Sequence, residues 1–253
     1  MTVTGKFNWY ELMTTDTKAA GAFYGKVIGW RAEEVDQGRY FTFNTAEGGI
    51  GGMLAAPADQ PGPGPVWLGY VAVDNADDYA KRFEAGGGSI HRPPADIPGI
   101  GRFAVVADPQ GAALILFTPL PRADGAGPPS LNAPGYPCWR ELMTTDGPSA
   151  FEFYSKMFGW EKSTGYDMGP MGTYQLFAYD GADQGGIMTK PPHVPHSHWG
   201  FVFRVGAVAA AAEHVKAGGG TVVNGPMQVP SGDWVIQAKD PQGAAFSLLS
   251  ANG

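Results

Sequence analysis

The stretch Trp9-Tyr10-Glu11-Leu12-Met13-Thr14-Thr15-Asp16 recurs 130 residues later as Trp139-Arg140-Glu141-Leu142-Met143-Thr144-Thr145-Asp146, with seven of the eight residues identical. Further along the chain, Asp-Pro-Gln-Gly-Ala-Ala at residues 108–113 returns unchanged at residues 240–245. The order of the repeated segments is kept, and their spacing drifts by only two residues. The period is far longer than that of a solenoid, so we infer the duplication of a whole domain.

The duplication predicts how the 253 residues are divided. We expect a first domain over residues 1–120 and a second domain over residues 135–253, each of ordinary single-domain size. Residues 121–134 between them are rich in Pro and Gly, which is typical of a linker.

Each copy shows the pattern of two βαβββ units. Residues 7–14 alternate as a strand does, Asp16 is a good helix N-cap, and Gly29 predicts the end of the helix that follows. The second half restarts with an apolar strand at residues 67–73, then a helix, then further strands around residues 103–107 and 113–117. The sequence therefore predicts an α+β fold of two tandem domains, with four βαβββ units forming curved mixed sheets.

Composition and charge exclude several classes of protein. The chain has 38 Gly and 22 Pro, which argues against a long helical bundle, and 43% hydrophobic residues, which argues against global disorder. A net charge of −7 without a Lys/Arg cluster predicts no binding to nucleic acid or to an anionic membrane. The single cysteine, Cys138, and the lack of an apolar leader favour a cytoplasmic protein, which we expect as a monomer or a homodimer.

The repeated elements resemble the vicinal oxygen chelate superfamily of glyoxalases, bleomycin-resistance proteins and extradiol dioxygenases. The resemblance rests on a first strand ending in Asp16, Phe23-Tyr24 and Gly29-Trp30 on the following helix, a Gly-Gly strand, and Asp-Pro-x-Gly before the last strand. It covers nearly the whole chain twice. The doubled Trp-x-Glu-Leu opening looks like a group of two-domain proteins named hydroxylases or glyoxalase-like antigens. The resemblance implies βαβββ units paired around a cup that holds the active site.

The resemblance also implies positions for metal ligands, and this sequence departs from them. Enzymes of the superfamily carry a His, Gln or Glu on the first strand, a His on the fifth strand and a Glu four residues after the Gly of Asp-Pro-x-Gly. Those positions are occupied here by Trp9, Leu68, Ile115, Trp139, Gly200 and Ser247. A divalent ion needs about three or four N, O or S donors, so the sequence predicts no metal at these positions.

The first strand of each copy carries the strongest candidates for chemistry. Strand alternation places Glu11 on one face with Trp9 and Met13, and Glu141 with Trp139 and Met143. A carboxyl among Trp and Met side chains is desolvated, which raises its pKa and suits a general acid or base. The other interpretation is that each Glu only satisfies hydrogen-bond donors inside the fold.

Three histidines, His193, His196 and His198, precede the fifth strand of the second copy and have no counterpart in the first copy. Closely spaced imidazoles bind transition metals, but the prolines around these three predict an exposed loop. His198 is the one candidate metal ligand, because it shares a strand face with position 200.

Aromatic side chains are the candidate walls of a ligand site. Trp67 and Trp199 begin equivalent strands, and Trp234 stands where the first copy has Arg102, which would make the two sites chemically unequal.

Three functions stay open on the sequence alone. The first is a binder of a small, apolar or aromatic organic molecule that lacks the usual metal ligands, like a bleomycin-resistance protein. The second is an enzyme of lyase, isomerase, hydroxylase or dioxygenase type that uses Glu11 or Glu141, with or without a divalent metal. The third is a non-catalytic interaction protein.

Overall fold

Each sequence copy folds into the same succession of strands and helices in the computed structural model, which describes residues 4–56, 64–121 and 133–253. Most of the predicted linker lies outside these residues. The first copy contains β1 (Phe7–Thr14), α1 (Thr17–Val27), β2 (Arg31–Asp36), β3 (Tyr40–Thr45), β4 (Gly48–Ala55), β5 (Val66–Ala72), α2 (Ala76–Ala85), β6 (Ser89–Ile97), β7 (Gly101–Ala107) and β8 (Ala113–Pro119).

The second copy repeats this order. It contains β9 (Pro137–Thr144), α3 (Gly147–Phe158), β10 (Glu161–Asp167), a short 3-10 helix (Gly169–Met171), β11 (Thr173–Tyr179), β12 (Ala182–Thr189), β13 (His198–Arg204), α4 (Val208–Ala217), β14 (Thr221–Gln228), β15 (Trp234–Lys239) and β16 (Ala245–Ser250).

The strands form two mixed eight-stranded sheets, one from each copy. Their orders are β2-β3-β4-β1-β5-β8-β7-β6 and β10-β11-β12-β9-β13-β16-β15-β14. Each first strand runs parallel to the fourth strand of its own copy, so that Glu11 lies opposite Gly52 and Glu141 opposite Gly186. The predicted α+β class and the four βαβββ units are confirmed.

The helices begin where the sequence indicates. The Asp16 carboxylate accepts a hydrogen bond from the backbone N–H of Ala19 at 2.9 Å, and Asp146 caps α3 in the same way through Ser149 at 3.1 Å. Such caps satisfy donors that the first helical turn leaves unpaired. The repeated Thr-Thr-Asp thus ends each first strand and starts each helix.

Two compact units build their cores from both copies. The first unit comprises Met1–Asn8, Gly69–Gly127 and Arg140–Trp199, and the second comprises Trp9–Leu68, Pro128–Trp139 and Gly200–Gly253. The core of the second unit is aromatic: the rings of Trp30 and Phe43 lie 4.9 Å apart, and Trp30 contacts Phe203 at 4.9 Å. In the first unit, Trp160 stacks on Phe177 at 4.3 Å.

Equivalent chains of buried hydrogen bonds cross between the copies inside each unit. In the second unit, the indole N–H of Trp67 donates to the Tyr24 hydroxyl at 3.0 Å, and Tyr24 donates to Asp240 at 3.1 Å. In the first unit, Trp199 donates to Tyr154 at 3.1 Å and Tyr154 donates to Asp108 at 3.0 Å. The repeated Asp-Pro-Gln-Gly turn is therefore a binding partner for a helix tyrosine of the other copy.

Candidate functional site

The carboxyl of Glu11 lies within the second unit and is the last acceptor in a short chain of hydrogen bonds. Glu11 is only 3% exposed. The hydroxyl of Tyr40, on β3, donates to Glu11 Oε2 at 2.9 Å, and the indole N–H of Trp9 donates to the Tyr40 oxygen at 3.1 Å. Trp9 and Tyr40 are both partly exposed. Their polar atoms therefore connect a buried carboxyl to a more accessible phenol.

A glycine beside Glu11 makes this contact possible. Tyr40 and Glu11 lie on strands that flank β4, and Gly52 is the β4 residue opposite Glu11. A Cβ atom at position 52 would stand 2.0 Å from the Tyr40 hydroxyl, which is closer than any real contact. Tyr40 reaches Glu11 because the intervening strand has no side chain at that point.

Burial changes the acidity of both groups. Desolvation raises the pKa of Glu11 to about 7, although the hydrogen bonds from Tyr40 and Trp9 oppose the rise. Burial and the nearby Glu11 carboxylate raise the pKa of Tyr40 far above its ordinary value. Near neutral pH the carboxyl therefore exists in both protonation states, whereas the phenol keeps its proton.

The second copy repeats the arrangement within the first unit. The Tyr174 hydroxyl, on β11, donates to Glu141 Oε1 at 2.8 Å. Gly186 lies opposite Glu141, and a Cβ atom there would stand 2.1 Å from the Tyr174 ring. Burial raises the pKa of Glu141, opposed by the hydrogen bond from Tyr174 and by the charge of His198. We call the two arrangements the Glu11–Tyr40 pair and the Glu141–Tyr174 pair.

His198 has no equivalent in the first copy, where Val66 begins the matching strand. Its side chain is exposed, and its Nδ1 atom lies 3.0 Å from the backbone oxygen of His196. His193 and His196 are exposed as well. In the part of the chain that the structure describes, no group of three or more His, Cys, Asp or Glu side chains is placed to hold a metal ion.

The remaining predicted ligand residues fall into two groups. Met13, Met143, Trp139 and Trp234 are partly exposed. Trp67 and Trp199 are buried in the aromatic cores and donate to Tyr24 and Tyr154. A ligand role for these tryptophans stays a prediction.

The guanidinium of Arg102 is held by carboxylates. It donates to both oxygens of Asp77, at 2.5 and 2.9 Å, and to Asp96 at 2.9 Å. A ligand anion would have to compete with these carboxylates for the same donors.

Tyr40, Tyr174, Gly52 and Gly186 are the site residues that the sequence reasoning missed. Tyr40 begins β3, and Tyr174 is the second residue of β11. Tyr40 and Tyr174 are 134 residues apart, and so are Gly52 and Gly186. A repeat at this spacing adds a Tyr and a Gly to the Glu that both copies keep 130 residues apart.

Two surface depressions lie elsewhere in the first unit, and neither is lined by the Glu141–Tyr174 pair. The larger, of about 420 Å³, is lined mainly by polar groups, among them Lys6, Glu161 and Asp180. The smaller, of about 210 Å³, lies between Thr4, Val73 and Thr118. We assign the candidate site to the duplicated carboxyl–phenol pairs because each copy keeps a Glu, a Tyr that donates to it and a Gly that makes room for the contact, whereas neither depression is lined by these residues.

The chain belongs to the Glyoxalase/Bleomycin resistance protein/Dioxygenase superfamily, whose family model matches residues 6–116 and 139–248. The match covers each copy once and confirms the family and the tandem architecture that the repeated motifs predict. Among the described residues, none of the helices has the length and apolar character needed to cross a membrane.

Relatives are similar over nearly their whole length. CFP32 of Mycobacterium tuberculosis (strain CDC 1551 / Oshkosh), provisionally named a glyoxylase, is 33% identical over 251 residues, covering 97% of this chain and 94% of CFP32. The anthracycline biosynthesis protein DauV of Streptomyces sp. (strain C5) is 30% identical over 258 residues, covering 95% of this chain and 91% of DauV.

Solved structures share the fold at low sequence identity. The Mn(II)-bound glyoxalase from Novosphingobium aromaticivorans superposes with a TM-score of 0.68 at 16% identity, covering 100% of this chain and 84% of that one. The catechol dioxygenase BphC superposes with a TM-score of 0.69 at 13% identity, covering 99% and 88%. The six positions to which the resemblance assigns metal ligands hold Trp9, Leu68, Ile115, Trp139, Gly200 and Ser247, which do not make up such a ligand set.

Proposed function

We propose that the protein binds a small, largely apolar organic molecule at its carboxyl–phenol pairs, without the metal ion of related enzymes. The observation that carries this proposal is the duplication of a whole polar constellation. Each copy keeps a Glu that is buried in the first copy and part-buried in the second, a partly exposed Tyr that donates to it, and a Gly that makes room for the contact. Ligand sites of this kind are mostly apolar with a few placed polar groups.

The pair suits a ligand that carries a carbonyl or a hydroxyl group. While Glu11 is ionised, the Tyr40 proton points to the carboxylate, and the phenol oxygen accepts from a ligand hydroxyl. Once Glu11 is protonated, it donates a hydrogen bond to the Tyr40 oxygen, and the Tyr40 hydroxyl then donates its own hydrogen bond to a ligand carbonyl. Because the pKa of Glu11 is about 7, both forms exist near neutral pH.

The apolar surroundings come from the same strand face. Trp9 and Met13 flank Glu11 by alternation along β1, and both are partly exposed. Met143 holds the equivalent place in the second copy. Large flat ligands bind well to aromatic and thioether surfaces. An anthracycline is the natural probe, since a relative that is 30% identical is named for anthracycline biosynthesis.

An enzymatic function is the second candidate, favoured by the acidity of Glu11. A carboxyl with a pKa of about 7 is well matched to general acid–base catalysis at neutral pH. Protonated Glu11 would pass its proton to Tyr40 as Tyr40 gives its own to a bound ligand, which suits an isomerase or lyase. No step of this kind requires a metal ion.

Calorimetric titration with an anthracycline tests the proposal. We expect the wild-type protein to bind, and binding to weaken at least tenfold when Tyr40→Phe and Tyr174→Phe are combined, at a temperature where circular dichroism shows that the variant is folded. An unchanged dissociation constant in the double variant, or no binding by the wild type, would contradict the proposal. Turnover that is lost in Glu11→Gln or Glu141→Gln would favour the enzymatic function.

A further inference from the structure

We infer that Asn44 is a specificity-determining residue that makes the first copy the tighter ligand site, because its amide accepts a hydrogen bond from a hydroxyl group of the ligand. The inference rests on the proposed function and deepens it. The ligand class is a flat molecule with two polar groups. One is a carbonyl or hydroxyl that meets the Tyr40 phenol, and the other is a hydroxyl that donates to Asn44.

The Trp9 indole joins the Glu11–Tyr40 pair to Asn44. At one edge of the ring, the indole N–H donates to the Tyr40 oxygen at 3.1 Å, and Tyr40 donates in turn to Glu11. At the other edge, the Cη2 atom of Trp9 lies 3.3 Å from the point where a Cβ atom of residue 49 would stand, and Asn44 Oδ1 lies 3.3 Å from the same point. Asn44 and the pair therefore border one indole on the same face of the sheet.

Hydrogen bonds to Thr42 fix the orientation of the Asn44 amide. Its Nδ2 atom donates to the Thr42 hydroxyl at 2.9 Å and to the Thr42 backbone oxygen at 3.4 Å. Because a backbone oxygen only accepts, the amide nitrogen is the atom that is turned toward Thr42. The Oδ1 atom faces Gly49 and the indole, and among the residues that the structure describes no group donates to it. This partly exposed acceptor is open to a ligand.

The strand register sets the distance between the two ligand contacts. Gly52 and Gly49 are paired with β3 residues that stand two positions apart. The Tyr40 hydroxyl lies at the place of a Cβ atom on Gly52, and Asn44 Oδ1 lies beside the place of a Cβ atom on Gly49. Since two strand residues span about 7 Å, the ligand groups that meet Tyr40 and Asn44 are separated by a similar distance. A flat ligand that reaches both covers the partly exposed Trp9 between them.

The second copy keeps the register and changes the residues at this place. Ala178 is paired with Asp183 there, as Asn44 is paired with Gly49, and both ladders shift register at the same step. The methyl group of Ala178 accepts no hydrogen bond, and Asp183 is an exposed carboxylate where Gly49 has no side chain. A neutral amide favours a neutral donor such as a hydroxyl, whereas a carboxylate favours a cation. The two copies therefore differ in the second group of the ligand that they recognise.

The residue that orients the amide is also confined to the first copy. Thr42 stands two residues after Tyr40, and Leu176 stands two residues after Tyr174. Leu176 is buried and has no hydroxyl group. The first copy thus has both the amide and its anchor, and the second copy has neither.

Calorimetric titration with an anthracycline, which carries ring carbonyls and hydroxyls, tests this inference. We expect Asn44→Ala, which gives this position the residue of the second copy, to weaken the tighter binding event about tenfold, or by about 1.4 kcal/mol. The matched control is Asp183→Asn in the second copy, which should stay within about twofold of the wild type. Melting temperatures of both variants report whether the fold is intact.

A ligand without hydroxyl groups separates a hydrogen bond from a structural effect. Unsubstituted anthraquinone has the ring carbonyls and no donor, so Asn44→Ala should change its affinity by less than about twofold, as followed by quenching of tryptophan fluorescence. Tyr40→Phe should weaken both ligands.

The outcomes distinguish the inference from the proposed function. If Asn44→Ala weakens both ligands equally or neither of them, while Tyr40→Phe weakens the anthracycline, the inference is wrong and the proposed function stands. If the wild type does not bind an anthracycline, the proposed function and this inference are both overturned.

Discussion

At the scale of single residues, the Glu11 carboxyl links the packing of the molecule to pH. Its ordinary pKa is 4.5, and burial raises the value to about 7 in the folded protein. Between these pH values the folded state holds a proton that the unfolded state has lost. The contribution of Glu11 to stability is therefore complete below pH 4.5 and is lost as the pH rises through about 7.

This linkage predicts a pH-dependent difference between the wild type and Glu11→Gln. From pH 4.5 to 8, the unfolding free energy of the wild type should fall by up to about 3 kcal/mol relative to the variant. Urea unfolding followed at several pH values measures the difference. Glutamine keeps the shape and cannot titrate, so parallel curves for the two proteins would show that folding leaves the pKa of Glu11 at its ordinary value.

At the scale of strands, Gly52 and Gly186 allow each tyrosine to cross a neighbouring strand. A Cβ atom at position 52 would overlap the Tyr40 hydroxyl at 2.0 Å. We predict that Gly52→Ala displaces Tyr40, breaks its hydrogen bond to Glu11 and costs about 1–3 kcal/mol of unfolding free energy.

A double-mutant cycle separates this clash from other costs. In a Tyr40→Ala background the overlap is gone, so Gly52→Ala should cost much less than it does in the wild type. The same cycle with Gly186 and Tyr174 is the matched test in the second copy. An equal loss of unfolding free energy in both backgrounds would show that Gly52 is not needed to make room for Tyr40.

The buried strands could be predicted from the sequence, whereas the exposed ones could not. Residues 7–14 match β1, whose side chains are mostly apolar and are exposed only at Asn8. Arg31–Asp36 is exposed throughout, so no apolar period marks it as β2. Ser89–Ile97 contains Pro93 and Pro94, which usually break a strand, but here they fall where the β6–β7 register shifts.

The candidate site was predicted in part. Glu11, Trp9 and Met13 follow from strand alternation, and the raised pKa follows from apolar neighbours. The hydrogen-bond partner of Glu11 does not follow from alternation, because Tyr40 reaches Glu11 across β4 and such a contact depends on the order of the strands. The sequence pattern of one strand predicts which face of the sheet a side chain lies on. It does not predict which residue two strands away that side chain contacts.

At the scale of the whole molecule, the two sequence copies share their cores. Tyr24 of the first copy donates to Asp240 of the second, and Tyr154 donates to Asp108 in the reverse sense. Each compact unit contains segments from both copies. The division into domains 1–120 and 135–253 remains a prediction about the repeat, and the cores cross that division.

Cutting the chain between the copies tests how far they depend on each other. We predict that cleavage at a protease site introduced into residues 122–130 leaves the two fragments together in gel filtration at the elution volume of the uncut protein. Tyr24→Phe, which leaves Asp240 and the Trp67 indole without this partner, should lower the stability of the cut complex by about 1–3 kcal/mol. Separation into two stable fragments would show that each copy folds alone.

Ligand binding after removal of metal tests most directly whether the carboxyl–phenol pairs hold the ligand. The measurement is the dissociation constant for an anthracycline, determined by calorimetry with protein dialysed against EDTA and with the same protein after addition of Mn(II). We predict constants that agree within about twofold, and at least tenfold weaker binding when Tyr40→Phe and Tyr174→Phe are combined. Binding that disappears with EDTA, returns with Mn(II) and ignores the tyrosine substitutions would contradict the metal-independent site.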